Sequence, residues 1–203
     1  MIIGITGGTG SGKTTLLHLI EAQGGLVLDC DSIYHMLLQS DRELQSAIAL
    51  RFPNAVEQGG VNRKKLGAIV FEDACALQDL NTITHQAVLK EVHRRLSNRP
   101  ALAAIDAIGL FEGGLDALCD ITVAVTAPEN IRVQRIMTRD GIGEVYARKR
   151  LASQKSADWY SARCDYTLEN GGDYDVFVSK CLAFLQKLGI IKENEKENDY
   201  DQR

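Results

Sequence analysis

The chain has 203 residues, 45% hydrophobic and 25% charged, which fits one α/β domain with a small inserted lid and suffices to bury most of its apolar surface. A net charge of −4, with basic residues interleaved among acidic ones, excludes a broad basic face for a polyanion such as DNA and points to a small anionic ligand. Cys30, Cys75, Cys119, Cys164 and Cys181 are odd in number, far apart and without a Cys-x-x-Cys pair, which argues against a disulfide framework or zinc site.

These cysteines read as reduced thiols in a cytoplasm. Met1 leads straight into a strand pattern without a basic n-region, and no apolar run approaches the ~18 residues of a membrane span. The expectation is a soluble cytoplasmic protein with no membrane or nucleic-acid partner and no obligatory protein partner.

Ile2, Ile3 and Ile5 predict the first strand, Ile2–Ile5. Gly7 to Thr14 then reads Gly-Gly-Thr-Gly-Ser-Gly-Lys-Thr, matching G-x-x-x-x-G-K-S/T, before a helical run through Leu16, Leu17, Leu19 and Ile20. Glycines let successive backbone N–H groups turn inward around phosphate oxygens, and the helix N-terminus adds partial positive charge there. Gly8, Thr9, Gly10, Ser11, Gly12, Lys13, Thr14 and Thr15 are therefore the expected ATP-binding residues. Lys13 would reach the β- and γ-phosphates and Thr14 would sit on Mg²⁺. Gly24-Gly25 stops the helix.

The second strand, Leu26–Asp29, places Asp29 and Asp31 around Cys30 at the carboxyl edge where open α/β sheets bind ligands. In an extended segment both side chains would point toward the phosphate cradle. There Asp31 could take or orient the proton of an attacking hydroxyl. The structural alternative is that Asp29 ends the strand and Asp31 caps a helix starting at Ser32.

From Ser32 to Leu96 the pattern is helical, broken near Pro53–Gly60 and Phe71–Ala76, too much chain for one crossover helix. A separate lobe over the sheet, about 32–96, is expected. Within it His85 reads by default as a buried, hydrogen-bonded histidine. The third strand, Ala101–Asp106, ends on a carboxylate placed to hold Mg²⁺ directly or through water, a weak signal at Asp106. Asp106-Ala107-Ile108-Gly109 also matches the D-x-x-G of GTP-binding switches, but the chain contains no Asn-Lys-x-Asp segment to read guanine.

Ile121–Val125 is the fourth strand, and Pro128 opens a helix with an Ile131, Val133, Ile136 stripe. Basic residues crowd Arg132 to Arg163, either as a solvated face or as a phosphate-covering lid, about 138–163. Tyr166–Leu168 is a weaker fifth strand, and the charged segment 191–203 reads as a frayed tail. The alternation predicts a parallel sheet covered on both faces, in one domain over 1–190.

With these residues in view the chain resembles the dephospho-CoA kinase family from Met1 to about Leu188. The resemblance rests on Ile5–Thr14, Leu28-Asp29-Cys30-Asp31-Ser32-Ile33, Val61–Gly67 with Ile69-Val70-Phe71, Leu80–His85, Gly109-Leu110-Phe111-Glu112, Arg135–Asp140, Arg150–Gln154 and Glu169-Asn170-Gly171, in that order. It implies an α/β, P-loop NTPase-type three-layer fold with a five-stranded parallel sheet, a helical acceptor-binding lobe and a lid.

The activity it implies is ATP-dependent phosphorylation of the ribose 3′-hydroxyl of dephospho-CoA, the last step of coenzyme A synthesis. By the same resemblance Asp31 acts on the hydroxyl, Lys13 and Arg139 serve the transferring phosphoryl group, and Asn170 lines the ATP base. His85 and Arg63 join Asp31 on the acceptor. Rival readings are a nucleoside or nucleotide kinase and a GTP-binding switch.

Three positions depart from the family pattern. Ile108-Gly109 replaces Pro-Leu, Gln86 replaces Pro after His85, and Cys30 replaces Ala between the acids, which predicts a thiol open to alkylation beside the site.

Overall fold

A computed structural model describes residues 1–57 and 60–191. The tail expected over 191–203 lies outside these residues except for Ile191. Five strands, β1 Ile2–Thr6, β2 Leu26–Asp29, β5 Ala103–Asp106, β6 Ile121–Thr126 and β7 Tyr166–Glu169, form one parallel sheet in the order β2-β5-β1-β6-β7. All five were legible as strands, with β5 starting two residues later than the apolar run suggests. A two-stranded hairpin, β3 Val56–Glu57 with β4 Gly60–Val61, stands apart from it.

The strands alternate faces with period two, and both faces are apolar because each is covered. Leu28, Ala103 and Ile105 pack toward the lobe, whereas Ile3, Ile5, Ala104, Val123 and Val125 pack against α1 (Lys13–Ala22) and α9 (Tyr174–Lys187). This is the three-layer arrangement expected. The register pairs Asp29 with Asp106 and Asp106 with Ile5, so the ends of β2, β5 and β1 come level along one edge.

The lobe consists of α2 (Cys30–Ser40), α3 (Arg42–Arg51), α4 (Arg63–Glu72) and the long α5 (Ala74–Leu96). Its expected breaks are both present. A 3₁₀ turn at Pro53–Ala55 leads into the hairpin, and Asp73 separates α4 from α5. A further break at Asp41 was not anticipated. Each lobe helix is opened by an acid or amide at its N-cap: Asp29, Asp41, Asn62 and Asp73 each accept from two backbone N–H groups.

Past β6 come α6 (Glu129–Asp140), α7 (Glu144–Ala152) and α8 (Ala157–Ser161), with a small core of Val133, Ile136, Ala147 and Leu151 joining α6 to α7. No helix among the described residues is long and apolar enough to cross a membrane.

Asp41 accepts from Glu43 N–H at 2.8 Å and Leu44 N–H at 3.0 Å. Asp41→Ala is expected to cost about 1 kcal/mol and to lower Tm by roughly 2–4 °C. Thermal unfolding followed by circular dichroism measures this, and an unchanged Tm would mean water replaces both bonds without loss.

Candidate active site

The loop from Gly7 to Gly12 is bent into a cradle whose turns leave no room for a side chain at its glycines. Gly7 has φ +136° and a Cβ there would strike the Val125 carbonyl oxygen; Gly12 has φ +102° and its Cβ would strike the Asn170 amide nitrogen. Ser11 N–H bonds back to Gly8 O at 3.2 Å, whereas the amides of Gly10, Gly12, Lys13 and Thr14 have no hydrogen-bond partner among the described residues. Four unpaired donors around one concavity at a helix N-terminus make an anion seat. Lys13 Nζ rests on Gly7 O at 2.9 Å and lies 3.8 Å from Asp106 Oδ1.

The cradle is braced from outside by α6 and by residues beyond it. Buried Arg132 donates from Nε to Thr9 O at 2.9 Å and from Nη2 to Gln154 Oε1 at 2.9 Å. Gln154 in turn accepts from Thr9 N–H at 2.9 Å and donates to Thr9 Oγ1 at 2.6 Å. Arg135 Nη1 reaches Gly10 O at 3.0 Å and its Nη2 reaches Asn170 Oδ1 at 3.0 Å, while Asn170 Nδ2 donates to Ser11 O at 2.9 Å.

Arg132, Arg135 and Gln154 were not among the expected site residues. Arg132 and Arg135 do not form a solvated face; they hold the loop's carbonyls. The available signal was spacing, since 132, 135 and 139 stand at i, i+3 and i+7 on one face of α6. Asn170, expected beside the ATP base, is buried and engaged with the loop itself.

Arg139 sits in the last turn of α6, on a cavity of about 450 Å³ that also touches Gly10, Gly12, Lys13 and Thr14. Its guanidinium is half-exposed and forms a two-pronged pair with Asp140, at 2.7 and 3.0 Å, which Arg150 shares at 2.7 Å. Arg139 thus shares a cavity with the loop residues, with its guanidinium held by a carboxylate.

The two acids of the Asp29-Cys30-Asp31 segment do not point the same way, because the chain turns helical at Cys30. Asp29, not Asp31, is the cap: it accepts from Asp31 N–H at 2.9 Å, Ser32 N–H at 3.2 Å and Ser32 Oγ at 2.7 Å. Asp31 is left free in the first turn of α2, on the wall of a second cavity of about 240 Å³. Cys30 is buried, and burial first, then the charges of Asp106, Asp29 and Asp31, push its thiol up to about 12. It is protonated at neutral pH, so the expected sensitivity to alkylation does not follow from its surroundings.

The second cavity runs from Asp31 past Tyr34, Leu80 and Val88 to Gly109 and Gly113. His85 is half-buried on its wall and forms no hydrogen bond among the described residues, contrary to the default reading. Gly109, one of the family departures, leaves His85 uncovered: a Cβ there would lie 3.8 Å from His85 Nε2. Arg63 is exposed, contacts His35 at 3.4 Å and lowers the Tyr34 hydroxyl's otherwise burial-raised pKa, but does not itself line the cavity.

Asp106 precedes Ala107, which lines the second cavity, and lies 3.8 Å from Lys13, which lines the first. Its Oδ1 is buried without a hydrogen-bond partner. Burial raises its pKa to about 6; Lys13 pulls the other way and the charges of Asp29 and Asp31 add to the rise. The folded state thus keeps a proton that the unfolded chain loses near 3.8. Ligand-free stability should therefore fall as pH climbs from about 4 to about 6 and level off above. Asp106→Asn should remove this slope and leave the free protein roughly 2–3 kcal/mol more stable than wild type at pH 7. Urea unfolding across that range measures both, and parallel curves for the two proteins would refute the assignment.

The family model described as dephospho-CoA kinase matches residues 1–175. A dephospho-CoA kinase of Anaeromyxobacter dehalogenans is 37% identical over 193 residues, 92% of each chain. One from Syntrophotalea carbinolica is 34% identical over 194 residues, 93% of this chain and 92% of that one. A crystal structure from Thermus thermophilus superposes with a TM-score of 0.78 at 31% identity, over 93% of this chain and 97% of the other. Cradle, carboxylate edge and these matches agree, and the chain belongs to the dephospho-CoA kinase family of ATP-dependent kinases.

Proposed function

We propose that the chain moves the γ-phosphoryl group of ATP to the ribose 3′-hydroxyl of dephospho-CoA, giving coenzyme A and ADP, in a reducing cytoplasm that suits its free thiols. The observation that carries this reading is the joint between the two cavities. Lys13 on the donor side lies 3.8 Å from Asp106, and Asp31 opens onto the acceptor side within electrostatic reach of the same carboxylate.

ATP is seated by the unpaired amides of Gly10, Gly12, Lys13 and Thr14, and Lys13 exchanges Gly7 O for phosphate oxygens. Asp31 orients the acceptor hydroxyl or takes its proton as the bond to phosphorus forms, and the β–γ bridging oxygen leaves with ADP. Arg139 turns from Asp140 to the transferring group and offsets its charge. Helices α6 to α8 keep water from the phosphates, which would otherwise be a competing acceptor. Asn170 borders the nucleotide through the loop it holds, and Arg63 and His85 flank the acceptor.

Mg²⁺ fits the residues present: Asp106 offers an unpartnered oxygen, and the exposed Thr14 hydroxyl has no bond among the described residues. When bound it would neutralise phosphate charge.

Turnover with ATP should appear with dephospho-CoA in a panel that also holds adenosine, AMP and pantothenate, read by coupled ADP release. Activity with AMP alone would overturn the acceptor, and tight GTP binding with slow hydrolysis and no acceptor would overturn the reaction class. Asp31→Asn should cut kcat by roughly 10²–10⁴ with ATP binding kept, whereas Lys13→Ala should lose both. For Arg139→Ala a loss of roughly 10²–10⁴ in rate is expected. Near-normal turnover in Asp31→Asn, or a change under about threefold in Arg139→Ala, would remove that residue from its role.

A further inference from the structure

The acceptor cavity does not end at His85. Asn81, His85 and Gly113 line it and also line a second, outer groove, whose far side carries Glu112 and Lys155. Lys155 is fixed at its base, since neighbouring Gln154 is bonded to Thr9 and Arg132. Its ammonium lies 5.5 Å from the centroid of the Trp159 ring, and the Arg163 guanidinium lies 4.0 Å from the same centroid. Phe111 meets Trp159 edge-on at 6.0 Å, tying this ring to the loop that walls the acceptor cavity.

Two cations thus converge on one aromatic ring, and neither has an ion-pair partner among the described residues. Their neighbours on α7 differ: Arg148 is paired with Glu129 and Glu144, and Arg150 with Asp140. The ring holds both cations by its quadrupole, and no carboxylate of the described residues, Glu112 of the same groove included, comes within ion-pair distance to offset their mutual repulsion. Such a pair at the mouth of a groove is matched by a polyanion that enters the groove, and a diphosphate has that chemistry.

We propose that Lys155, backed by Arg163 on the Trp159 ring, is the subsite for the diphosphate of the acceptor. This rests on dephospho-CoA being the acceptor. That molecule carries a diphosphate on the same ribose that presents the 3′-hydroxyl. With the hydroxyl at Asp31 and the base among Tyr34, Leu80 and Val88, the diphosphate leaves past His85 toward Lys155. Lys155 is then a residue that sets acceptor affinity without touching the reacting atoms.

The same chemistry has a second source, the phosphates of ATP, and kinetics separates the two. Lys155→Ala should raise KM for dephospho-CoA about tenfold, with KM for ATP within about twofold of wild type and kcat nearly unchanged. Lys155→Arg should retain most of the affinity and Lys155→Glu should lose more than Ala. Trp159 is the single tryptophan of the chain, so its emission reports on the subsite directly. Dephospho-CoA and inorganic pyrophosphate should both change it in wild type, and pyrophosphate should do so more weakly in Lys155→Ala.

A rise in the ATP KM instead would give this cation to the donor, and unchanged constants for both substrates in Lys155→Ala would overturn the subsite. Wild-type protein that fails to turn over dephospho-CoA would overturn the acceptor reading itself, a result distinct from either.

Discussion

Everything in this molecule depends on a stretch of backbone that points its N–H groups at empty space. Gly10, Gly12, Lys13 and Thr14 leave their amides unpaired, and an unpaired donor is stable only where water or an anion can reach it. A loop with so few internal bonds does not hold its own shape. The carbonyls on its outer side are therefore bound by Arg132, Arg135 and Asn170, and its Thr9 amide by Gln154. Donor side chains take the carbonyls from behind, so the amides are left to face inward. A substituent at Gly8 or Gly12 would collide with Arg132 or Asn170, so glycine is needed for the bracing as well as for the turn.

The same bracing couples the cradle to the rest of the site. Arg132 and Arg135 belong to α6, which begins just after β6 and shares an apolar core with α7, so α7 and the helix that backs the glycine loop are one packed unit. On the other side Thr6 Oγ1 donates to Ile108 O at 3.1 Å, linking the end of β1 to the loop that walls the acceptor cavity. The two cavities are thus both referenced to the end of the central strand. Positioning of that kind is most of what phosphoryl transfer asks of a protein.

What the sequence revealed follows from which interactions are local. The strands showed as short aliphatic runs because both sheet faces are buried, and the Gly-Lys-Thr turn showed because it needs particular residues at fixed spacing. Asp41 was missed as a helix start because Ser40-Asp41-Arg42 interrupts no apolar periodicity; only its side-chain cap marks the break. Asp29 and Asp31 differ from the expected geometry because the extended reading runs two residues past the strand end at Asp29, and a helix begins at Cys30. Arg132 and Gln154 are 22 residues apart and meet on Thr9, more than a hundred residues upstream, a contact that no local pattern encodes. Cys30 is a case of chemistry set by surroundings: a thiol between two acids looks exposed in the string, and burial beside three carboxylates pushes its pKa up to about 12.

The three carboxylates at the edge of β2 and β5 show how one role is left to one residue. Asp29 spends its oxygens on the two amides and the hydroxyl of the α2 start, so it has little capacity for a substrate. Asp106 is buried beside Lys13, and burial raises its pKa to about 6, which makes its charge costly to keep. Asp31 has neither commitment: it accepts no hydrogen bond among the described residues and faces the acceptor cavity. The cap that Asp29 supplies also sets where Asp31 stands, because Asp31 N–H is one of the two amides it binds. The neighbouring acid thus holds the first turn of α2 in place, and the carboxylate of that turn without a partner among the described residues lines the second cavity, where the proposed function puts the acceptor hydroxyl.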